Sequence, residues 1–573
     1  MTEMTAQFSA TDADRIVEKL ARGEVAWART SLARRCEMLD RFQQLVVDHA
    51  QEWVDLACEM KGLPKDSPLV GEEWISGPWA VLSYLNSLRH TLAVLEEGGD
   101  PLEPFTMRSV PGGRLAIDVL PHTMWDTLLL NGYRAELWMQ PGVDRARMRA
   151  RAGLGQRRPY ETRGGVLVLG AGNITSIVPS DVLYVLFADN RVVALKLNPI
   201  ADRLEGVMRR IFAPFIEVGA VQVLTGDVEL GSALAYHPGV AAVHMTGSEA
   251  THDAIVWGSG ERGVANKAAG TPVLDKPITS ELGGAAPVVV VPGKWSKRDL
   301  RFHARHVATM RLHNSGCNCI AAQVVVVSSD WAQKGAFLAE LRKALAAAPA
   351  RPAWYPGCDL RVETARALHP NAERVGGTPQ RTLIPDLDLS KPDPNAFESE
   401  YFGPVLGIAE LPGEGEEFLE SAIEACNEKL RGTLGANVLI HPKAKKAMGE
   451  RFERHLSQLR YGTIAVNAWT GLGYLSALAT WGAFPGHSLD DIQSGRGVVH
   501  NALLLADTER TVVYGPWRML PRAWLHGSFV LAPKPPWFVD NRSAATTGRL
   551  LTYFTAKPRW RSLPAIFWSA LRG

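Results

Sequence analysis

The chain has 573 residues, 46% apolar and 21% charged, with 62 Lys and Arg against 60 Asp and Glu. That composition excludes a disordered chain, a collagen-like chain and a small disulfide scaffold, and a net charge of +2 offers no global field to attract nucleic acid. The 6 cysteines have no framework spacing and no secretory h-region opens the chain, so a reducing, cytoplasmic setting is expected.

Residues 11–62 predict helix, because Ile16, Leu20, Trp27, Leu39, Phe42, Val46 and Trp53 recur at roughly helical spacing with charges between them. Glycines and prolines at 62–68 interrupt the pattern, and helix resumes to about Leu95. Residues 100–160 combine prolines and Gly112–Gly113 with a basic run from Arg145 to Arg158, which predicts irregular and extended chain reaching toward a partner subunit. From Gly165 the pattern becomes strand and helix in alternation, with strands at 166–169, 191–196, 221–224 and 240–244. A second such series has strands at 287–291 and 324–327 with helices at 299–313 and 331–347. All-apolar strands separated by helices predict an α/β protein with parallel, doubly wound sheets. Gly462 to Leu489 holds no charged side chain, but its glycines, Asn467 and Pro485 make a poor membrane span; it reads as a buried strand with loops.

Several turns carry chemistry. Gly170-Ala-Gly-Asn173 follows a strand and lets backbone approach a phosphate, although the third glycine of a dinucleotide fingerprint is missing and a plain tight turn explains it as well. Thr246-Gly247-Ser248 follows another strand; such a turn presents N–H groups and a hydroxyl to a pyrophosphate, or simply caps a helix. Glu281-Leu-Gly-Gly284 places a carboxylate on a permissive loop, and Gly316-Cys-Asn-Cys319 places thiols between a helix and a strand. A thiol needs a base to become a nucleophile, and a glutamate can serve; a cysteine is otherwise a small buried apolar residue. Cys-x-Cys without a second Cys/His pair is no zinc site, and His303, His306 and His313 have no metal-ligand spacing, so no metal is expected.

In this order the motifs resemble those of the aldehyde dehydrogenase superfamily. The resemblance rests on Asn173, Lys196, Thr246-Gly-Ser248, Glu281-Leu-Gly-Gly-Ala-Ala-Pro287, Gly316-Cys-Asn-Cys319, Glu400-Tyr-Phe-Gly-Pro-Val405 and Gly462-Thr-Ile-Ala-Val-Asn467, and runs from about residue 20 to 500. It implies Cys319 as nucleophile, with Cys317 a neighbour where relatives carry Gln. It implies Asn173 and the Cys319 N–H on the oxyanion, and Glu281 as base for thioester hydrolysis. It implies an NAD or NADP site in which Gly172 admits the coenzyme, Lys196 meets the adenosine ribose, Thr246, Gly247 and Ser248 meet the pyrophosphate, Glu400 holds the nicotinamide ribose and Phe402 packs near the ring. The activity implied is oxidation of an aldehyde to an acid. A coenzyme A-acylating relative and a silent scaffold are the alternatives; Glu281 argues against the first, and Cys319 with its partners against the second.

The fold implied is two parallel-sheet lobes with a bridging β-flap, in a homodimer or homotetramer whose flap extends a neighbour's sheet. Expected boundaries are a helical part of the coenzyme domain at 1–119, bridging segments at 120–160 and 496–516, a Rossmann-like domain at 161–290, a catalytic domain at 291–495 and a tail at 517–573. Pro199 stands where many NAD-preferring relatives carry Glu, so NADP should be tolerated. The glycines of 257–278 suggest a flexible flap near the coenzyme, and Trp469, Leu472, Tyr474, Leu475, Leu478 and Trp481 suggest an apolar or aromatic aldehyde. The tail has no acid after Asp540 and interleaves Arg and Lys with Trp, Tyr and Phe. It reads as a packing or oligomer element, with peripheral membrane contact as the alternative.

Overall fold

The computed structural model describes residues 10–377, 380–526 and 530–573. Helices pack around two sheets. The smaller, six-stranded sheet has the order Gly495–Arg496, Ile278–Leu282, Ala242–Gly247, Gly165–Leu169, Val192–Lys196, Val221–Leu224, parallel except at the two-residue edge strand. Val192 through Leu195 are fully buried, because helices cover both faces. The register aligns Leu169 with Lys196 and Thr246 with Glu281, so the turns after these strands gather at one end of the sheet. Ligands of open α/β sheets bind at that end.

The N-terminal helices Ala10–Ala28 and Leu32–Met60 bury the expected stripe: Leu39, Phe42, Val46 and Trp53 are all 1% exposed or less. Ser31 caps the second helix by accepting from the Arg34 N–H at 3.2 Å. The extended chain expected after residue 100 includes the strands Met107–Val110 and Arg114–Leu120, so the helical part placed at 1–119 ends before them. The glycine-bearing stretch expected as a flexible flap holds a helix, Gly260–Ala269, pinned by Asn266 Nδ2 on the Trp257 carbonyl at 2.8 Å and by Lys267 on Asp253 at 2.7 Å.

The larger, eleven-stranded sheet is centred on Pro287–Val290, which lies parallel between Val324–Ser328 and Gly435–Leu439. The chain therefore changes sheets between 282 and 287, ahead of the boundary expected at 290. On one side follow Val405–Leu411, Arg381–Leu387 and Glu373–Val375. On the other follow Thr463–Val466, Thr508–Tyr514, Arg134–Met139, Arg114–Leu120 and Met107–Val110. This second run corrects the expected bridging segments. The flap begins near 107 rather than 120, and Arg145–Arg151 within it is a helix capped by Asp144. The flap also closes on its own chain: Val512 pairs with Ile464 in parallel and with Glu136 antiparallel, so both edges of that strand are used at home. Arg114 fastens the arrangement through a two-point ion pair to Glu509 at 2.7 and 2.9 Å.

The tail packs on the body. The Trp517 ring lies 3.8 Å from that of His303, Phe538 stacks on His306 at 5.1 Å, and Arg518 donates to Asp299 at 2.9 Å. His303 and His306 are thus buried packing groups, with burial pushing both toward the neutral form. Helix Ala544–Ala556 crosses Val70–Trp74 at Gly71, where a Cβ would lie 2.4 Å from the Ala544 carbonyl carbon. Among the described residues no helix is long and apolar enough to cross a membrane.

Candidate active site

Gly172, Asn173, Lys196, Thr246, Gly247, Ser248, Glu281, Cys319, Glu400 and Phe402 all line one cleft of about 900 Å³ between the two sheets. Close approach is built into its floor. A Cβ on Gly172 would lie 2.8 Å from Asn198 Cγ, and one on Gly283 only 1.8 Å from Glu400 Oε1. Ser248 caps helix Glu249–Trp257 by accepting from the Thr251 N–H at 3.2 Å, which aims that helix's N-terminus at the cleft. Lys196 reaches in from its strand end; burial lowers its pKa, while Asp202 and Asp227 act in the opposite sense. A long glycine-floored cleft with a helix N-terminus and a buried ammonium fits a dinucleotide, and no residue among those expected to hold one lies elsewhere.

The loop that carries Cys319 is held from behind. After helix Lys297–Leu312 the backbone passes through three left-handed residues, Asn314 (φ 54°), Ser315 (φ 58°) and Gly316 (φ 75°). Non-glycine residues there cost on the order of 1–3 kcal/mol each. Asn314 is fixed four ways: its N–H donates to Glu72 at 2.9 Å, its Nδ2 to the carbonyls of Asn173 at 3.1 Å and Cys317 at 2.8 Å, and its Oδ1 accepts from Arg351 at 3.0 Å. Arg351 also pairs with Glu72 and, at 3.2 Å, with Glu73, and Glu73 pairs with Lys61 at 2.8 Å, all of them buried. None of these charges was singled out from the sequence.

That loop delivers the Cys319 Sγ to within 3.5 Å of Glu281 Oε1. The same oxygen accepts from Trp481 Nε1 at 2.8 Å. Burial, with the Asp181 charge, pushes Glu281 up to about 7 against the opposing Trp481 hydrogen bond. Burial and the two carboxylates Glu281 and Glu400 push Cys319 well above an ordinary thiol, so the resting sulfur is protonated and hydrogen-bonded to Glu281. Asn173 Nδ2 donates to the Cys317 carbonyl at 3.2 Å. An amide carries two hydrogens, so a second remains for an oxyanion beside Cys319.

Glu400 is raised to about 8 by burial, against the nearby Arg311 and Arg361. Phe402 has φ 40° and meets the Tyr355 ring edge-on at 4.8 Å; Arg361 donates to the carbonyls of Tyr401 and Phe402 at 3.0 and 3.3 Å. Cys317 is fully buried away from the cleft, its thiol on the Phe402 carbonyl at 3.5 Å and its pKa raised by the contact with Cys358 and by burial. Arg431, on the opposite wall, bonds Glu249 at 2.5 and 2.9 Å and so ties the lobes across the cleft. The sequence offered no signal for it.

Residues 167–361 match the model of the aldehyde dehydrogenase family. Curated relatives include coniferyl aldehyde dehydrogenase of Pseudomonas sp., 23% identical over 51% of this chain and 60% of the relative, and succinate-semialdehyde dehydrogenase [NADP(+)] of Mycolicibacterium paratuberculosis, 26% identical over 41% and 47%. Thus the chain spans about half the length of the curated relatives it matches. Solved structures of the same fold include an NADP-dependent glyceraldehyde-3-phosphate dehydrogenase from Bacillus halodurans, with TM-score 0.58 at 17% identity over 88% of this chain and 92% of that one. An indole-3-acetaldehyde dehydrogenase complexed with NAD+ gives TM-score 0.56 at 19% identity over 88% and 89%. Over residues 167–361 the chain is thus similar to the aldehyde dehydrogenase family, and over most of its length it shares the fold of these solved structures.

Proposed function

We propose that the protein oxidises an aldehyde to the carboxylic acid, with NAD or NADP as hydride acceptor, through a covalent adduct on Cys319. The observation that carries this reading is the position of the Cys319 sulfur: 3.5 Å from Glu281 Oε1, on the boundary shared by the glycine-floored cleft and an apolar pocket behind it.

Glu281, held near neutrality, takes the thiol proton as sulfur adds to the carbonyl carbon. The second Asn173 hydrogen and the Cys319 N–H meet the oxygen as it becomes anionic. Bound in the cleft, oxidised NAD(P) would supply the hydride acceptor that takes the adduct to a thioester. Glu281 releases the first proton to solvent and then draws one from water, whose oxygen attacks the thioester carbon; the C–S bond breaks, the acid departs and Glu281 returns that proton to the sulfur, restoring the thiol. Lys196 and Ser248 position the adenosine and phosphate end, and Glu400 and Phe402 the reacting end.

The pocket behind Cys319 is lined by Ile174, Ile320, Trp469, Tyr474, Leu475 and Trp481 and by no Lys or Arg, while burial keeps His313 neutral. That lining supports an apolar or aromatic aldehyde over a semialdehyde, whose carboxylate needs a cation. A relative named for coniferyl aldehyde points the same way. An oligomer, homodimer or homotetramer, belongs to this reading, through a contact other than strand addition at Thr508–Tyr514. Exposed Trp560, Trp568 and Leu571 beside Arg559, Arg561 and Arg572 support peripheral membrane contact by the tail.

NAD(P)H absorbance with a panel of aldehydes tests the activity, run with and without coenzyme A. Turnover independent of coenzyme A is expected, and Cys319→Ser should lower it by at least about a thousandfold. Full turnover by that variant refutes the covalent route, an absolute need for coenzyme A favours the acylating alternative, and silence with every aldehyde favours a scaffold.

A further inference from the structure

We infer that the C-terminal segment builds the outer half of the substrate channel, and that the substrate is an aldehyde with a long, extended apolar chain whose far end lies between this segment and the body of the protein. The inference rests on the oxidation reading above and adds the substrate's class. It is carried by three cavities that lie in series, each sharing wall residues with the next. The coenzyme cleft and the small pocket behind Cys319 share Ile177, Glu281 and Cys319. That pocket and a groove of about 240 Å³ share Ile75, Leu475 and Trp537. Trp537 belongs to the tail, is 6% exposed and has its ring 5.8 Å from that of Tyr133. It forms, with Ile75 and Leu475, the neck between the reacting sulfur and the groove.

The groove has one wall from each part of the chain. Leu551, Phe554 and Ile566 face it from the tail helices, and Trp79, Leu120 and Leu478 from the body. Its two charged members are already engaged: Asp126 accepts from the N–H of Thr123 at 2.8 Å, and Lys534 donates to the Asp540 carbonyl at 2.9 Å. Ser83, Ser87 and Tyr133 are among its uncharged polar members, but the wall is mainly apolar and holds no spare charge, which suits a polymethylene chain rather than an ionic group. A chain running from Cys319 to the groove passes Ile75, Leu475 and Trp537, the residues that the two cavities share. A short aldehyde ends at the neck and gains nothing from the groove.

Calorimetric titration of the full-length protein with primary alcohols from 1-butanol to 1-dodecanol tests the channel without chemistry. Affinity should tighten roughly threefold to fourfold per added methylene until the groove is filled. Two fillings from opposite walls, Ala570→Trp on the tail and Ser87→Trp on the body, should each weaken 1-dodecanol at least tenfold and leave 1-butanol unchanged, with thermal unfolding reporting that each variant folds. Affinity indifferent to length, or equal losses for both alcohols in the folded variants, overturns the channel. Turnover of an aldehyde series in parallel separates the two readings. Length-dependent binding without any turnover refutes oxidation and leaves the channel; turnover of short aldehydes with length-independent binding does the reverse.

Discussion

Trp481 and Cys319 converge on a single oxygen: the indole N–H reaches Glu281 Oε1 at 2.8 Å and the thiol reaches it at 3.5 Å. The indole hydrogen bond favours the ionised carboxylate, and burial disfavours it. The balance sets the base near neutrality, where proton transfer from a thiol and from water is both possible and reversible. Activity should therefore rise with pH through a midpoint near 7. Trp481→Phe removes the stabilising donor and should move that midpoint upward, measured as the pH profile of kcat/KM. An unmoved midpoint would detach this limb from Glu281.

The same carboxyl carries a stability cost with a definite sign. Its folded pKa, about 7, exceeds its ordinary 4.5, so the native state prefers the proton; that stabilisation is complete below about pH 4.5 and gone above about pH 7. Glu281→Gln should thus gain up to about 3 kcal/mol over the parent in urea unfolding at pH 8 and nothing at pH 4. Turnover should fall by about 10²- to 10⁴-fold. A gain equal at both pH values would show that ionisation is not its source.

Arg351 joins the Cys319 loop to the buried pair Lys61–Glu73. Arg351→Met leaves Glu72 without its cation and should destabilise the fold by about 3–5 kcal/mol in urea titration. Arg351→Lys keeps the charge but not the forked reach to Asn314, so stability should recover in part while kcat stays low. Equal recovery of both would limit Arg351 to a structural charge.

Coenzyme choice turns on the surroundings of Lys196. No acid stands at Pro199, yet Asp202 and Asp227 act on the Lys196 ammonium, so acidic charge returns from neighbouring positions. NADP should still serve, with Michaelis constants for the two coenzymes within a hundredfold, and Asp227→Asn should favour NADP. A preference for NAD beyond a hundredfold would show that these two carboxylates reject the 2′-phosphate.

The site was legible in the sequence where each motif is local. Thr246, Gly247 and Ser248 directly follow a strand, and Glu281 ends its neighbour in register with Thr246, so strand and turn alone put them at one cleft. Helix Gly260–Ala269 was missed because its glycines and polar residues pattern like a loop; its anchor, Lys267 on Asp253, is tertiary. Glu72, Glu73, Lys61 and Arg351 were missed for a related reason. Charges on predicted helices read as solvated until distant segments bury them together. Trp481 was expected only as apolar lining, and its N–H proved as informative as its ring. The tail's course over the body had no periodic signal, since its aromatic residues find partners as far off as Trp295 and Phe302.

The homebound pairing of Thr508–Tyr514 also sets the order of events at synthesis. This strand lies between Thr463–Val466 and Arg134–Met139, so the three amino-terminal strands have nothing to join until residue 514 has been made. At about 5–20 residues per second the nascent chain must keep that ribbon apart for tens of seconds. Its unsatisfied edge is then the place where a chaperone, or a misplaced neighbour on the same polysome, meets the unfinished protein.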